Sequence, residues 1–387
     1  MKFRVETQTD KCNQLIIKVF MSIVTLQISN LRNITSASIE CSKHFNLFFG
    51  DNGAGKTSIL EAVHCLSMGK SFRTSSQEHI IHHGENAFAL FINFLHNNAK
   101  IPIGIQRSRD GNTKIRINEE SLSSATAISS YLPVQFIGSA SHRILTDGPK
   151  SRRQFLDWGL FYTQPAFFQA WKSFQKCLHH KNAALKAHAP QDEIAVWNNE
   201  LAITGTALHE MREQYIQQFL PFFKDIMSVL LKEVDIQLSY SAGWDSKTSL
   251  ISALSKNMFR EYHLGYTLHG PHRADLIVSV DNLPAQEVLS QGQQKLVAYA
   301  LRLSQGLHFQ SLTSRSPIYL IDDLPSELDA TKRSLVTNIL STIEAQVFIT
   351  GIKSTDLEQI LMLNHTNRMF HVKHGVISNY LSEKCFT

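Results

Sequence analysis

Apolar residues recur along this chain in blocks whose period changes from place to place. Ile23-Val24-Thr25-Leu26-Gln27-Ile28 is rich in β-branched residues and predicts a strand, and Ser36-Ala37-Ser38-Ile39-Glu40 predicts its partner. Phe45-Asn46-Leu47-Phe48-Phe49 is a short apolar run stopped by Gly50, the pattern of a buried strand. After it, Ile59, Leu60, Val63 and Leu66 fall on one helical face. Residues 87–117 alternate in strand fashion, with a turn at Asp110-Gly111-Asn112. The character changes at Asp147-Gly148-Pro149: from 152 to about 232 the pattern is helical, aromatic and poor in glycine. Strand-like segments return at 236–240 and 274–280, and after Ser290 come a helix, a buried strand, a helix and a strand. Two α/β segments thus flank a helical middle, which predicts one α/β domain split in sequence around an inserted arm. The expected divisions are an extension at 1–20, the first part of the split domain at 21–146, a mainly helical arm at 147–262, and the second part at 263–387.

Composition narrows the class. With 387 residues, 43% hydrophobic and 18% charged, the chain can bury a core and is not a disordered or fibrous protein. A net charge of +5 permits an anionic partner without demanding one. The cysteines Cys12, Cys41, Cys65, Cys177 and Cys385 are odd in number and form no CxxC, which argues against a disulfide scaffold or a thiolate zinc site and for a reducing, cytoplasmic setting. No apolar run approaches the roughly 20 residues that span a bilayer, so no membrane partner is expected. The stretch Leu15-Ile16-Ile17-Lys18-Val19-Phe20-Met21 is interrupted by Lys18 and reads poorly as a signal peptide. The pairs His82-His83 and His179-His180 lack metal-ligand spacing and read as surface.

Candidate chemistry begins at Gly50. Gly50-Asp51-Asn52-Gly53-Ala54-Gly55-Lys56-Thr57 fits GxxxxGK[ST] at each fixed position, between an apolar strand and a helix. Glycines let backbone N–H groups curl round phosphate oxygens without Cβ clashes, and the helix N-terminus adds partial positive charge. Lys56 is placed to reach the β- and γ-phosphates and the Thr57 hydroxyl to ligate Mg²⁺. The plain alternative is a glycine-rich turn that matches by accident.

Pro317-Ile318-Tyr319-Leu320-Ile321-Asp322-Asp323 is an apolar strand ending in two carboxylates. Beside an upstream P-loop it reads as a Walker B strand, with Asp322 holding Mg²⁺ and Asp323 orienting or activating the attacking water; a strand that merely ends in Asp at a turn is the alternative. Leu289-Ser290-Gln291-Gly292-Gln293-Gln294-Lys295 opens an apolar-periodic helix, and Ser290 would serve as a simple N-cap. Ser-x-Gly-Gln at a helix start ahead of a Walker B strand is also the signature segment of ABC-type ATPases. There it offers a hydroxyl, an N–H and a helix dipole to the γ-phosphate held by a partner subunit. Ser290 acting in trans, and an ATP-dependent homodimer, follow from that reading. Ser326-Glu327-Leu328-Asp329 resembles the D-loop of such an interface. The expected class is therefore an α/β, ABC-type P-loop ATPase head, split in sequence, with an inserted helical arm and with ATP and Mg²⁺ as cofactors.

Further stretches narrow the match. Lys70-Ser71-Phe72-Arg73-Thr74, Leu132-Pro133-Val134-Gln135, Gly148-Pro149-Lys150-Ser151-Arg152-Arg153-Gln154-Phe155-Leu156-Asp157-Trp158, Gly265-Tyr266-Thr267, Gly270-Pro271-His272-Arg273-Ala274-Asp275 and Phe370-His371-Val372-Lys373-His374-Gly375 resemble the RecF family of bacterial recombination-repair ATPases, related to the SMC class. The resemblance runs from about Met21 to the end. That family typically begins near Met21, which makes 1–20 read as an upstream extension and a misassigned start. The resemblance implies that Gln135 is the Q-loop glutamine, joining Mg²⁺ and the γ-phosphate to the arm, and that Arg73 lies near the nucleotide phosphates. It further implies recombinase loading on gapped single-stranded DNA with the partners RecO and RecR, replication restart and SOS induction.

Two departures from the general ABC pattern bear on rate. Asp323 stands where transporters usually have Glu, and Gln346-Val347-Phe348-Ile349 ends in Thr350-Gly351, where a switch histidine is usual. A shorter carboxylate and a missing polar contact predict slow hydrolysis, suited to a timed clamp, and with the family resemblance this implies a weak, DNA-stimulated ATPase that acts as a switch. Lys150, Arg152, Arg153, Arg107 and Arg109, with Lys114 and Arg116, are candidate DNA contacts, against the alternative of a solvated rim. Phe155, Trp158, Tyr162, Phe167, Trp171 and Phe174 could stack bases, but at helical spacing they read first as core. Three rivals stay open. One is a transporter ATPase, against which the long stretch between Gln135 and Ser290 argues. The others are an ATP-gated scaffold without hydrolysis and an SMC-like structural protein, which needs long heptad runs.

Overall fold

A computed structural model describes residues 21–380, apart from 75, 77, 98 and 123–125. The expected extension at 1–20 lies outside the described residues. The central sheet has six strands in the order Val376–Asn379, Arg368–Lys373, Phe45–Phe49, Val347–Gly351, Ile318–Ile321 and Val134–Ile137. All neighbours are parallel except the pair at the Val376–Asn379 edge. A parallel sheet is covered on both faces, so its strands are apolar at successive positions rather than alternately: Ile318, Tyr319, Leu320 and Ile321 are all buried. Parity still decides where each side chain goes. Ile318, Leu320, Phe48, Phe348 and Phe370 join one core, and Tyr319, Ile321, Leu47, Ile349 and Met369 join the other.

The first core lies under the helix Lys56–Met68 and an antiparallel sheet. That sheet runs Ile34–Glu40, Met21–Leu31, Ala87–His96, Ala99–Ser108, Thr113–Ile117 and Glu120–Leu122. The helix touches strands of both sheets and is buried almost all round. The expected alternation over 87–117 resolves into three strands, broken at Asn97, which takes φ +50°, and at the turn around Gly111.

The second core lies under the helices Pro149–Thr163, Phe167–Lys186, Gln191–Leu230 and Gln291–Thr313. Gln191–Leu230 has 40 residues, about 60 Å of helix, and Pro221 within it forfeits one backbone hydrogen bond. Phe155, Trp158, Phe167 and Phe174 are buried here, and Trp158 Nε1 donates to the Val134 carbonyl at 3.0 Å. These four rings are core, not stacking platforms; Tyr162 and Trp171 are half-buried.

The expected boundary at 262/263 needs correction. It falls inside the helix Leu250–Leu264. It also separates the strand Gln237–Ser241 from its antiparallel partner Asp275–Val280, in which Tyr240 lies opposite Leu276. Pairing across an interval of chain leaves no local mark in the pattern of either strand. The arm helices also share one continuous core with the Tyr319 and Ile321 face of the central sheet, so the arm is no separate globule.

Candidate nucleotide site

The strand Phe45–Phe49 ends at Gly50, which takes φ +151°; a Cβ there would meet the Val372 carbonyl oxygen at 2.1 Å. Only glycine lets the chain leave the strand so close to its neighbour. Gly55, at φ +117°, leads into the helix Lys56–Met68. The loop is tied on three sides. Gly50 N–H donates to Ile352 O at 3.2 Å, Gly375 N–H to Ala54 O at 2.8 Å, and Asn33 Nδ2 to Gly53 O at 3.1 Å. Asp51, Asn52 and Gly53 remain exposed, and Ala54 is buried. Lys56 is 7% exposed and its Nζ donates to Gly50 O at 2.7 Å and Asp51 O at 2.9 Å. Burial pushes its pKa below the usual lysine value, against the pull of Asp323, Asp322 and Asp51. The ammonium thus rests on neutral carbonyls, and an incoming phosphate offers it a charged and stronger acceptor.

The Walker B strand meets this loop from the side. Thr57 Oγ1 lies 3.0 and 3.2 Å from the two carboxylate oxygens of Asp322. Thr350 Oγ1 donates to Asp322 Oδ1 at 2.7 Å and accepts the Asp323 N–H at 2.7 Å. Burial raises the Asp322 pKa above the usual carboxylate range, opposed first by the Thr350 and Thr57 hydrogen bonds. Asp323 takes φ +53° and ψ +46°, an uncommon conformation for a residue with a side chain, and its buried Oδ1 has no hydrogen-bond partner. Two carboxylates and a hydroxyl fit a hard cation such as Mg²⁺. Among the described residues no group of three His, Cys, Asp or Glu side chains could hold a metal, so a cation at Asp322 and Thr57 would need phosphate and water oxygens for the rest of its shell.

Arg73 comes near Asp322. It is half-exposed, its Nη1 stands 3.8 Å from Glu61 Oε2, and its charge pulls on Asp322. Glu61 itself is fully buried in the P-loop helix, where it takes a two-pronged contact from Arg32 at 2.7 and 2.9 Å and a hydrogen bond from Ser71. Arg32, Asn33 and Glu61 carry no local motif that would mark them from the sequence, and Thr350 is marked there only by the absence of a switch histidine. Their spacing along the chain is irregular, and only the fold collects them.

Gln135 requires correction. It is fully buried, its Nε2 donates to Gln305 Oε1 at 2.8 Å, and its Oε1 accepts from Arg302 Nη1 at 3.0 Å. It lies within the strand Val134–Ile137, opposite Tyr319, whereas Ile137 O accepts the Asp322 N–H at 2.8 Å. The residue at the metal end of that strand is Gly138, where a Cβ would stand 3.5 Å from the Asp322 Cβ. Gln135 therefore holds a buried polar cluster and cannot ligate Mg²⁺ in this arrangement.

Ser290 caps the helix Gln291–Thr313 in a reciprocal capping box with Gln293, and Ser290, Gln291 and Gly292 are exposed. Lys295 Nζ, one turn on, sits 2.7 Å from Glu327 Oε2 and fastens the signature helix to the Ser326-Glu327-Leu328-Asp329 segment. Asp329 caps the next helix, Ala330–Ile343, by accepting from Lys332 N–H at 2.9 Å.

Three of the basic candidates are buried or half-buried and already engaged. Arg107 is 8% exposed and donates to Gly69 O at 2.6 Å. Arg152 grips Asp275 at 2.7 and 2.9 Å, and Arg153 donates to Ala274 O at 2.8 Å. Two of the stretches that carry the family resemblance are thus each other's partners, and Arg212 joins them by binding Asp157 and Pro271 O. Lys150 and Arg109 are exposed, although Arg109 also donates to Glu85 O at 2.6 Å.

The family model described as the RecF/RecN/SMC N terminal domain matches residues 22–378. A DNA replication and repair protein RecF from Coxiella burnetii is 43% identical over 356 residues, covering 92% of this chain and 99% of the relative. Its counterpart from Shewanella frigidimarina is 39% identical over 358 residues, with the same coverage. Among solved structures, the recombination mediator protein RecF-ATP superposes with a TM-score of 0.83 at 23% identity, over 93% of this chain and 98% of that one. An Smc head domain from Pyrococcus furiosus gives 0.58 at 15%, over 95% and 98%, a likeness of fold.

Proposed function

The chain belongs to the RecF family, and we propose that it is an ATP-dependent DNA-binding protein of recombinational repair which dimerises on ATP and clamps single-stranded or gapped DNA. The observation that carries this reading is the meeting of Thr57 and Asp322 at 3.0 Å beside an Asp323 oxygen with no donor. Membership in this family sets aside the transporter alternative. No helix among the described residues is long and apolar enough to cross a membrane.

Each residue then has a task. Loop N–H groups and the start of the helix Lys56–Met68 hold phosphate oxygens, and Lys56 exchanges its carbonyl partners for them. Thr57 and Asp322 supply oxygen ligands to Mg²⁺, which when bound neutralises phosphate charge. Asp323 Oδ1 accepts a hydrogen bond from the attacking water, and Arg73, whose charge acts on Asp322, is the residue offered to the γ-phosphate. Ser290, exposed at a helix start, serves the nucleotide of a second copy. The short Asp323 carboxylate favours slow turnover that times release, and stimulation of that turnover by DNA is the family expectation. RecO and RecR are the expected partners, in the cytoplasm, and recombinase loading, replication restart and SOS induction the expected outcomes.

The DNA face suggested by the sheet register is the outer side of the antiparallel sheet. Lys114 lies opposite Gln106, and Arg116 opposite Gly104, with Ile103, Ile105, Ile115 and Ile117 turned inward to the core. Lys100, Lys114 and Arg116 are exposed on that side. Such a row can follow phosphates.

Light scattering with and without ATP and DNA tests the reading. Wild type should double in mass with ATP, whereas Lys56→Met and Ser290→Arg should stay monomeric. A wild type that stays monomeric, or two variants that dimerise normally, would overturn the clamp.

A further inference from the structure

The strand Val347–Gly351 runs parallel to Ile318–Ile321 with Ile349 opposite Ile321. Carried one residue on, that register sets Thr350 level with Asp322. Thr350 is fully buried, and its hydroxyl makes two bonds of opposite sense. The Asp323 N–H can only donate, so at 2.7 Å it occupies a lone pair of Thr350 Oγ1. The single hydroxyl hydrogen is then free for the carboxylate of Asp322, 2.7 Å away. One side chain therefore grips both halves of the Walker B pair, one by its carboxylate and the other by its backbone.

The second grip matters because of where it acts. Asp323 sits at φ +53°, a conformation that residues with side chains adopt rarely and hold only when their surroundings impose it. The next residues turn at once into the short helix Leu324–Glu327. Gly351 gives that turn room: a Cβ there would come to 3.2 Å of Pro325 and 3.3 Å of Leu357. The conformation of Asp323 directs a carboxylate whose Oδ1 is buried and unpartnered. Without the Thr350 hydroxyl, the Asp323 N–H loses its acceptor, and the pressure on Asp323 to stay in this conformation falls.

We propose that Thr350 is a positioning residue for ATP hydrolysis, which fixes the Asp322 carboxylate for the metal and holds Asp323 in the backbone conformation that aims its carboxylate. It sits in the Thr350-Gly351 pair that ends this strand, where a switch histidine is usual in ABC ATPases, and it acts on the two aspartates of its own chain. The inference rests on the nucleotide reading above, and its test is built to fail separately from it.

The test compares Thr350→Val, which keeps the shape and removes the hydroxyl, with Thr350→Ser, which keeps the hydroxyl. Steady-state ATPase is measured against Mg²⁺ and ATP concentration, alongside ATP-driven dimerisation by light scattering. Thr350→Val should lose about 10- to 100-fold in kcat and require more Mg²⁺ for half-maximal rate, with KM for ATP changed less than threefold. Thr350→Ser should retain kcat within about threefold. If Thr350→Val does not fold, Thr350→Ala is read in its place. A Thr350→Val or Thr350→Ala protein with wild-type kcat and Mg²⁺ dependence overturns the proposal, as does a Thr350→Ser protein as slow as Thr350→Val. A wild type that neither hydrolyses ATP nor dimerises overturns the nucleotide reading instead.

Discussion

Thr57 Oγ1 donates to the carboxylate of Asp322 across 3.0 and 3.2 Å, joining the P-loop helix to a strand 265 residues later in the chain. Both groups are oxygen donors suited to Mg²⁺, and each occupies the other until a cation parts them. Asp322→Asn should therefore keep the fold, because the amide still accepts from Thr57, but lose the metal. The expected result is a fall of at least about 100-fold in kcat and loss of the thermal stabilisation given by MgATP over ATP with EDTA. Differential scanning fluorimetry with both nucleotide forms reads it directly, and an undiminished MgATP shift in the variant contradicts the assignment.

Gln135 should behave as a structural residue. Gln135→Ala strands the Gln305 carbonyl oxygen and removes an acceptor from Arg302 in a buried cluster. A loss of about 1–3 kcal/mol in unfolding free energy is expected, with KM for ATP and the Mg²⁺ requirement unchanged. Urea melts and ATPase titrations on one preparation separate this outcome from a catalytic role.

The basic residues should divide into two classes. Lys114→Ala and Arg116→Ala should each weaken DNA binding and reduce the magnitude of the salt slope by about 1, without altering the melting temperature. Arg152→Ala should instead destabilise the protein, because Asp275 is left without its partner in a half-buried setting. Fluorescence anisotropy across a salt series, with melting curves, distinguishes them. A purely electrostatic loss of DNA affinity in Arg152→Ala, at unchanged stability, contradicts the division.

Acid should loosen this fold through its buried histidines. Burial lowers the pKa of His64, His272 and His308 to about 4 each. Their unfolded value is 6.5, so between about pH 4 and 6.5 the unfolded chain binds more protons than the folded one. Stability therefore rises with pH through that window and is complete above it; each histidine contributes roughly 1 kcal/mol per pH unit inside it. Neither ring nitrogen of His308 has a hydrogen-bond partner, and the rings of Tyr215, Phe219 and Phe222 surround it. His308→Phe should flatten the melting temperature between pH 7 and pH 5 relative to wild type, and an unchanged slope contradicts the assignment.

Much of the central machinery is legible without coordinates, because it is local. A glycine loop between an apolar strand and a helix, an apolar strand ending in Asp322-Asp323, and a Ser290 helix start each need only a few neighbouring residues to be recognised. Roles that depend on direction were less readable. Gln135 and Ile137 lie two residues apart on one short strand, yet Gln135 enters a buried polar cluster while the Ile137 carbonyl takes the Asp322 N–H. Arg152 looks like a phosphate contact in a basic run until the strand Asp275–Val280 arrives with its own carboxylate.

By itself the sequence determined which chemistry this protein can perform, since residue type and short spacing decide which groups can cradle a phosphate or ligate a hard cation. The tertiary structure decided which of those groups face the site. Thr350 reaches Asp322 through strand register, and Glu61 gathers Arg32 from one turn and Ser71 and Arg73 from another. Register and side-chain parity are set by pairing between strands far apart in the chain and by burial on both faces of a sheet. No local pattern of apolar and polar residues encodes that information.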